Sequence, residues 1–549
     1  MADTTEGPER TWWKEAVVYQ IYPKSFNDSD GDGVGDIPGI AEKVEYLDWL
    51  GVDVVWLNPV YASPMADNGY DIADYRAIHP AFGTMDDWEE LLEKLHRRNI
   101  RLIMDLVVNH TSDEHEWFVR SKAGDSEYEE YYFWREGSPD EPPNNWTSFF
   151  GGPAWSRDDE RGAWYLHLFD EKQPDLNWEH PEVRADVFEM MNWWFEKGID
   201  GFRMDVIDLV SKPEGLLDGD PKSEPVGEEH FVAGPQLEEY LEEMDGEVLS
   251  NYDAMTVGES VGANPESAHR LVGDGPLDML IHFEHMSVDV GGSKWDRIDL
   301  DLPAFKSVFD RWQTALYREG WNCLYLENHD QPRSVSRFGD DAEYRVESAK
   351  LLGTLLCTLR GSPFIYQGQE IGMTNTSFTS ASEVRDVWAE NFLAEHESFE
   401  EARPALEACS RDNARTPMQW NSEKNAGFSD GEPWIGVDES YTEINVERAR
   451  SDPDSVLHYY RELIEIRSGN DVLVYGEYED LLPEHERLWA YTRTLDDDRA
   501  LVLLNVSAER GRFEAGEGYE GATLLLGNYP DPGVPGSALR PYEARVYEL

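Results

Sequence analysis

Short apolar runs rich in β-branched and aromatic residues alternate with amphipathic stretches along most of the chain. Eight such runs occur, at residues 16–26, 52–60, 100–110, 198–207, 254–260, 277–285, 323–330 and 362–370. The stretches between them, such as residues 88–98 and 186–197, place apolar side chains at helical spacing. Strands that alternate with helices pair in parallel, and eight such units predict a closed (β/α)8 barrel, an α/β fold.

Two regions depart from this alternation. Residues 111–175 form a long, aromatic-rich stretch after the third strand, which predicts an inserted subdomain. After a predicted helix at residues 455–468, runs such as "LWAYTRTL" and "YEARVYEL" alternate with turn residues, which predicts an antiparallel β domain over residues 473–549. The barrel then comprises residues 1–110 and 176–472.

The charge of the chain is extreme. The 549 residues include 112 acidic and 47 basic side chains, a formal net charge of −65 spread along the whole length. Such a surface repels nucleic acids and anionic membranes, so neither is expected as a partner. Because 40% of residues are hydrophobic, a large folded core is still expected. The composition suits a protein that stays soluble at high salt and predicts an enzyme from a halophile.

The remaining composition argues for a cytoplasmic protein. Three cysteines without metal-type spacing, Cys323, Cys357 and Cys409, predict no disulfide framework. The first residues, "MADTTEGPERTWW", have neither the basic start nor the apolar run of a secretion signal. No apolar stretch is long enough to cross a bilayer.

The predicted strand ends carry a set of polar residues. A barrel collects its active site at the carboxyl ends of its strands. These ends supply Asp105, Asn109, His110, Arg203, Asp205, Glu259, His329 and Asp330. Several carboxylates meet there without a thiol or a phosphate-binding loop. Paired carboxylates are what glycoside cleavage requires, one to attack the anomeric carbon and one to protonate the leaving oxygen.

The stretch "NDSDGDGVGD", residues 27–36, predicts a cation site. Its glycines resemble a dinucleotide loop, but four aspartates would repel a pyrophosphate. Counted from Asp28, aspartates occupy positions 1, 3, 5 and 9, and a backbone carbonyl is available at position 7, as in an EF-hand loop. The predicted ligands of Ca2+, or alternatively Mg2+, are Asp28, Asp30, Asp32, Val34 and Asp36. Position 12 is Gly39, so the site would lie outside an EF-hand pair. A solvated acidic turn is the alternative.

Seven motifs together carry a family resemblance. They are "DNGYDIADYR", "DLVVNH", "QPDLN", "GFRMDVI", "VGES", "ENHD" and "SRDNARTPMQW". In this order they resemble the α-amylase superfamily (glycoside hydrolase family 13), specifically its oligo-1,6-glucosidase and α-glucosidase branch. The resemblance implies an exo-acting, retaining α-glucosidase that acts on small oligosaccharides.

The resemblance also assigns roles by position. It implies Asp205 as nucleophile, Glu259 as general acid/base, and Asp330 as the residue that holds and distorts the sugar. Arg203, two residues before Asp205, is expected to keep that carboxylate ionised. The remaining implied substrate-binding residues are Asp67, Tyr70, His110, Phe169, Gln173, Val206, His329 and Arg411, with Arg415 a close alternative to Arg411. The metal loop after strand one also matches members of this branch.

Specificity within the branch stays open. In this branch a valine such as Val206 accompanies α-1,6 cleavage, whereas alanine or threonine accompanies α-1,4 cleavage. Trehalose-6-phosphate hydrolase and the sucrose-isomerising, transglucosylating relatives are alternatives, because they share the first half-reaction. Transporter heavy chains share the barrel without catalysis, but this chain keeps all three carboxylates and has no predicted membrane helix.

Overall fold

A ring of eight parallel strands forms the centre of the molecule. The computed structural model describes residues 10–273, 275–516, 518–519 and 521–549. The strands are β1 (Val18–Ile21), β2 (Val54–Leu57), β3 (Arg101–Val107), β4 (Gly201–Asp205), β5 (Met255–Glu259), β6 (Met279–Ile281), β7 (Cys323–Leu324) and β8 (Ser362–Tyr366). They pair in the order β6-β5-β4-β3-β2-β1-β8-β7, and a bridge between Leu280 and Asn322 closes the ring. The predicted barrel is confirmed, with one strand in each of the eight predicted segments.

A helix follows each strand. The helices are α1 (Val44–Leu50), α2 (Met85–His96), α3 (Pro181–Lys197), α4 (Leu237–Glu247), α5 (Pro265–Leu271), α6 (Leu302–Ala315), α7 (Arg345–Thr358) and α8 (Val456–Ser468). Local chemistry sets their ends. Thr84 and Asp87 form a capping box at the start of α2. Pro181 opens α3, and Gly198 ends it at φ 104°, a conformation that glycine adopts without strain.

Residues 111–175 hold a short helix, Glu116–Lys122, and a small antiparallel sheet. The strand Ala163–Leu166 lies between Trp134–Arg135 and Trp155–Asp158. Several aromatic side chains of this region, including Phe133, Trp146 and Trp155, are buried in a common cluster. These side chains therefore pack as the core of the inserted region.

A five-stranded antiparallel sheet lies near the carboxyl terminus. Its strands are β9 (Glu477–Asp480), β10 (Leu488–Leu495), β11 (Asp498–Asn505), β12 (Thr523–Gly527) and β13 (Ala544–Glu548), in the order β9-β10-β11-β13-β12. Trp489 and Tyr491 of β10 belong to the same hydrophobic core as the barrel, so this sheet is packed against it. The exact division of the chain into three domains stays a prediction.

The segment after β8 covers one end of the barrel and was not predicted as structured. This cover segment, residues 374–410, contains the helices Val387–Ala394 and Phe399–Cys409 and a small core of its own. Asn391 donates a hydrogen bond of 3.0 Å to the carbonyl of Phe150, which ties the cover segment to the inserted region.

The predictions about disulfides and membrane spans concern the chain as a whole. All three cysteines are buried and free. Within the described residues, no helix has the length and apolarity needed to span a membrane. Residues 1–9, on which the predicted absence of a secretion signal partly rests, lie outside the described residues.

Candidate active site

A cavity of about 390 Å³ lies at the carboxyl ends of the barrel strands. Nine predicted site residues line it, namely Asp67, Tyr70, His110, Phe169, Asp205, Val206, Glu259, Asp330 and Arg411. The other three, Gln173, Arg203 and His329, contact members of this set from behind. Residues from seven sequence motifs are therefore gathered around one space.

Arg203 is the centre of the carboxylate cluster. Its Nη1 donates to Asp205 Oδ1 at 2.7 Å and to Asp105 Oδ1 at 3.0 Å. Its Nη2 lies 2.5 Å from Glu259 Oε1. Asp205 and Glu259 are the terminal residues of the adjacent strands β4 and β5, so the sheet register places both beside one guanidinium.

Burial and neighbouring charges shift the pKa values of the carboxylates that share this guanidinium. Burial, together with the charges of Glu259 and Asp105, raises the pKa of Asp205 well above its usual range, against the lowering effect of Arg203. Burial likewise raises the pKa of Asp105 to about 6. Arg203 opposes the rise at Asp205, which is the direction expected of it, and the ionised state of Asp205 stays a prediction. Closely spaced acids titrate as a group, because ionising one disfavours ionising the next.

Val206 has an unusual backbone. Its φ is 35°, in the left-handed region that β-branched residues avoid. The sharp turn lets its N–H donate to Glu259 Oε2 at 3.1 Å while its side chain lines the cavity. Strained backbone of this kind persists where the surroundings enforce it, often at functional sites.

A second ionic cluster surrounds Asp330. Arg415 and Arg411 donate to its Oδ1 at 2.8 and 3.3 Å. Burial disfavours its ionisation, but His329 and the two arginines outweigh that effect and hold the pKa of Asp330 well below its usual range. Arg411 also donates to Asp67 at 3.0 Å and lines the cavity, whereas Arg415 lies behind it. The geometry thus separates the two arginines that the motif left ambiguous.

The two predicted histidines differ in position. His110 lines the cavity, and its Nε2 lies 3.2 Å from Gln173 Nε2. His329 lies behind Tyr70, with the two rings stacked at 5.3 Å. Burial lowers the pKa of His110 to about 4 and that of His329 to about 3, so both imidazoles are neutral at neutral pH. Neutral imidazoles can both donate to and accept from sugar hydroxyls.

Several cavity residues were missed by sequence reasoning. Asp386 accepts a hydrogen bond of 2.7 Å from Arg411 Nε, and Trp388 lines the cavity. Both belong to the cover segment, which has no strand-end pattern to reveal it. Phe149 and Phe150 also line the cavity and come from the aromatic "TSFFGG" stretch. Only that local aromatic enrichment could have indicated them.

Three cations line the cavity from the segments that follow β6 and β7. Arg297 and Arg337 both contact the single carboxylate of Asp289, at 2.8 and 2.7 Å. Lys294 Nζ lies 3.4 Å from the ring centre of Trp388 and forms no ion pair among the described residues. Burial lowers the pKa of Lys294 to about 7. This wall is therefore basic, in contrast to the acidic exterior.

The aspartate-rich loop gathers three of its predicted ligands. Carboxylate oxygens of Asp28, Asp30 and Asp36 lie within 4.8 Å of one another, and Asp32 is not part of this group. Asp36 also caps the helix Ile37–Glu42, and Ser429 donates to Asp28 Oδ2 at 2.5 Å. A side chain at Gly33 would collide with the carbonyl of Glu432. An all-oxygen donor set of this kind fits a hard divalent cation.

Comparisons with known proteins agree with this geometry. The family model of the alpha-amylase catalytic domain matches residues 20–476. The chain belongs to the α-amylase family of glycoside hydrolases. It is 51% identical to an oligo-1,6-glucosidase of Parageobacillus thermoglucosidasius, over 98% of this chain and 99% of that one.

Solved structures give the same relationship. The chain resembles trehalose-6-phosphate hydrolase of Bacillus licheniformis with a TM-score of 0.93 and 46% identity, covering 98% of this chain and 100% of the other. It resembles a trehalulose synthase of Pseudomonas mesoacidophila with a TM-score of 0.95 and 41% identity, at the same coverage. This α-amylase-family enzyme is thus similar both to a trehalose-6-phosphate hydrolase and to a trehalulose synthase.

Proposed function

We propose that the chain is an exo-acting, retaining α-glucosidase that releases glucose from the non-reducing end of short α-1,6- and α-1,4-linked glucosides. The observation that carries the proposal is the contact of one guanidinium, that of Arg203, with the carboxylates of both Asp205 and Glu259. Two carboxylates fixed beside one cavity are the machinery of double displacement. The similarity to oligo-1,6-glucosidase supports the linkage class.

In the proposed mechanism, Asp205 attacks the anomeric carbon and forms a covalent glucosyl ester. Glu259 gives its proton to the departing glycosidic oxygen. Water then attacks the same carbon, Glu259 takes up a proton from that water, and the bond to Asp205 breaks. Asp330, held ionised by its arginines, accepts hydrogen bonds from sugar hydroxyls and stabilises the positive charge that develops on the ring.

Closure of the cavity beside Asp67 supports exo action. The Asp67 and Arg411 side chains pair at 3.0 Å, and the Arg411 guanidinium lies 5.0 Å from the ring centre of Phe150. Asn391 of the cover segment donates a hydrogen bond to the carbonyl of Phe150. A sugar chain that continued past this wall would displace buried ion pairs, so only a terminal glucosyl unit fits.

The proposal is tested by product analysis. The enzyme is incubated separately with isomaltose, maltose, sucrose and trehalose 6-phosphate, and early products are followed by proton NMR. We expect α-glucose before mutarotation, with isomaltose cleaved. Appearance of β-glucose first would overturn the assignment of Asp205 as nucleophile.

A second candidate is favoured by the basic wall. Among the described residues, Arg297 and Arg337 have only Asp289 as an ion-pair partner and Lys294 has none, so a leaving sugar that carries a phosphate would be attracted there. Trehalose 6-phosphate is such a substrate. Lys294→Met should then raise KM for trehalose 6-phosphate about tenfold and leave KM for isomaltose nearly unchanged. Equal effects on both substrates would remove this candidate.

The aspartate-rich loop is proposed to hold Ca2+, or alternatively Mg2+. Asp28, Asp30 and Asp36 would supply carboxylate oxygens, and the Val34 carbonyl was predicted as a further ligand. A cation there would brace the contact between this loop and Ser429. EDTA should lower the melting temperature, because a ligand that binds only the folded state stabilises it, and added Ca2+ should restore it. No change on chelation would argue for the solvated acidic turn.

The charge supports the proposed halophilic origin. At −65, mutual repulsion of carboxylates destabilises the folded state in dilute buffer, and salt screens that repulsion. Melting temperature and activity should therefore rise into molar KCl. Equal stability without salt would show that the charge is tolerated rather than required. A cytoplasmic location stays a prediction, supported by three free, buried cysteines.

A further inference from the structure

Asp208 is a fully buried carboxylate that the mechanism above does not use. It lies three residues after Asp205, in the short turn Ile207–Leu209, and its exposed fraction is 0%. No lysine, arginine or histidine among the described residues forms an ion pair with it. Its Oδ1 has no hydrogen-bond partner within the described part of the chain. A buried, unpaired carboxylate destabilises a fold, so packing alone does not account for it.

The other oxygen of Asp208 holds the residues that follow Glu259. Oδ2 accepts hydrogen bonds from Ser260 Oγ at 2.8 Å and from the Gly262 N–H at 2.9 Å. Ser260 is the direct neighbour of Glu259 in sequence. Asp208 therefore connects the turn after one catalytic carboxylate to the loop after the other.

The loop at residues 260–262 is confined from its other side as well. A side-chain carbon at Gly262 would lie 2.2 Å from Val232 Cγ1, so the chain passes Val232 closely. The Ala233 N–H donates to the carbonyl of Asp208 at 2.9 Å, which fixes that neighbouring segment to the same turn. Ser260 is also held by its N–H, which donates to the carbonyl of Ile281 in β6 at 3.0 Å.

We propose that Asp208 is a positioning residue. By fixing the backbone of residues 260–262, it holds the Glu259 carboxyl group at the separation from Asp205 at which Glu259 can protonate the leaving oxygen. The contact of the Val206 N–H with Glu259 Oε2 is a second link between the same two segments. Retaining cleavage depends on the separation of the two carboxyl groups, which makes such a double link useful. The inference rests on the proposed role of Glu259 as general acid.

The test uses the dependence on leaving group. Because kcat/KM reports glycosylation, a misplaced general acid slows a substrate with a poor leaving group more than one that needs no protonation. Asp208→Ala should lower kcat/KM for isomaltose about 10- to 100-fold, and for 4-nitrophenyl α-glucoside less than about threefold. Asp208→Asn keeps an acceptor oxygen for Ser260 and Gly262, so it should restore both values to within about threefold of wild type.

Two further variants keep the test decisive. Ser260→Ala removes one of the two donors and should show the same leaving-group dependence to a smaller degree, even if Asp208→Ala does not fold. Equal losses on both substrates in the folded variants, or a loss in Asp208→Asn as large as in Asp208→Ala, would overturn the inference. Glu259→Gln is the reference. If Glu259→Gln shows no leaving-group dependence, Glu259 is not the general acid. The proposed function then fails, whatever the Asp208 variants show.

Discussion

Buried arginines occur at both ends of the barrel, and their partners differ in kind. At the catalytic end, Arg203 and Arg411 each contact three carboxylates. At the opposite end, every hydrogen bond that Arg467 and Arg493 donate within the described residues goes to a backbone carbonyl, among them those of Cys357 and Thr358 at the end of α7. The pKa values follow these partners. Burial opposes the charge of all four, but the carboxylates raise the pKa of Arg203 and Arg411.

The carbonyl-bound arginines have lowered pKa values instead. Burial lowers the pKa of Arg467 to about 10 and that of Arg493 to about 9. Carbonyls at a helix carboxyl terminus carry partial negative charge and lack intrahelical donors, so a guanidinium satisfies several at once. Arg493 lies on β10 and donates to the carbonyl of Thr358 in α7, so it also fastens the carboxyl-terminal sheet to the barrel. Two units are thus joined here through carbonyls, whereas the candidate active site buries full carboxylate charges, which the proposed mechanism uses.

The largest expected effect is on turnover. Asp205→Asn and Glu259→Gln should each lower kcat on isomaltose by a factor on the order of 10³ or more. Both should fold normally, because each variant removes one carboxylate from a crowded cluster and leaves Arg203 two others. Circular dichroism and thermal melting check the fold. Retention of about a tenth of wild-type kcat in either variant would contradict the assigned roles.

A smaller loss of activity is expected from a change to the shared guanidinium. Lysine can contact one carboxylate but lacks the planar fork that reaches Asp205 and Glu259 together. Arg203→Lys should therefore lower kcat on the order of 10²-fold, with a modest change in melting temperature. Arg493→Lys, the matched change at the other end, should leave kcat unaffected. Loss of activity in Arg493→Lys would show that the two ends are not independent.

Removing the carbonyl-bound arginine should affect stability. Arg493→Met leaves the carbonyls of Thr358, Leu473 and Gly476 without this donor, which should lower the free energy of unfolding by about 2–4 kcal/mol. Denaturant unfolding measures the change, and kcat of the folded fraction should equal that of wild type. A stability within about 0.5 kcal/mol of wild type would mean that water replaces the guanidinium.

The smallest effect is expected at Val206, whose apolar side chain lines the cavity. Val206→Thr should raise the ratio of maltose to isomaltose hydrolysis about five- to tenfold, at the low end of the roughly 1–3 kcal/mol by which one such contact discriminates. The physical reason is that a branched apolar side chain offers no hydrogen bond to an α-1,4-linked ring. Relative kcat/KM values from competition measure the ratio. A wild type that cleaves maltose and leaves isomaltose untouched would show that Val206 does not set linkage choice.

Much of the molecule was predictable because it depends on local pattern. The eight strands follow from period and composition, and polar residues that end parallel strands necessarily meet at one end of a barrel. Asp205 and Glu259 could therefore be found without a structure. The β10 strand was also predicted at its observed bounds, because a run of aromatic and β-branched residues between turn residues is a property of neighbouring positions.

The features that only the tertiary structure decided depend on residues distant in sequence. Trp388 and Lys294 line the cavity and Asp386 holds Arg411 beside it; all three come from long loops whose course follows no periodic rule, so their positions could not be predicted. The protonation of Asp205 depends on how many carboxylates share Arg203, which only the packed strands determine. The sequence by itself determined which polar groups lie at the carboxyl ends of the strands, because strand period places them. Their charges and their neighbours were decided by the fold, because burial and Coulomb interactions depend on distance in space and not along the chain.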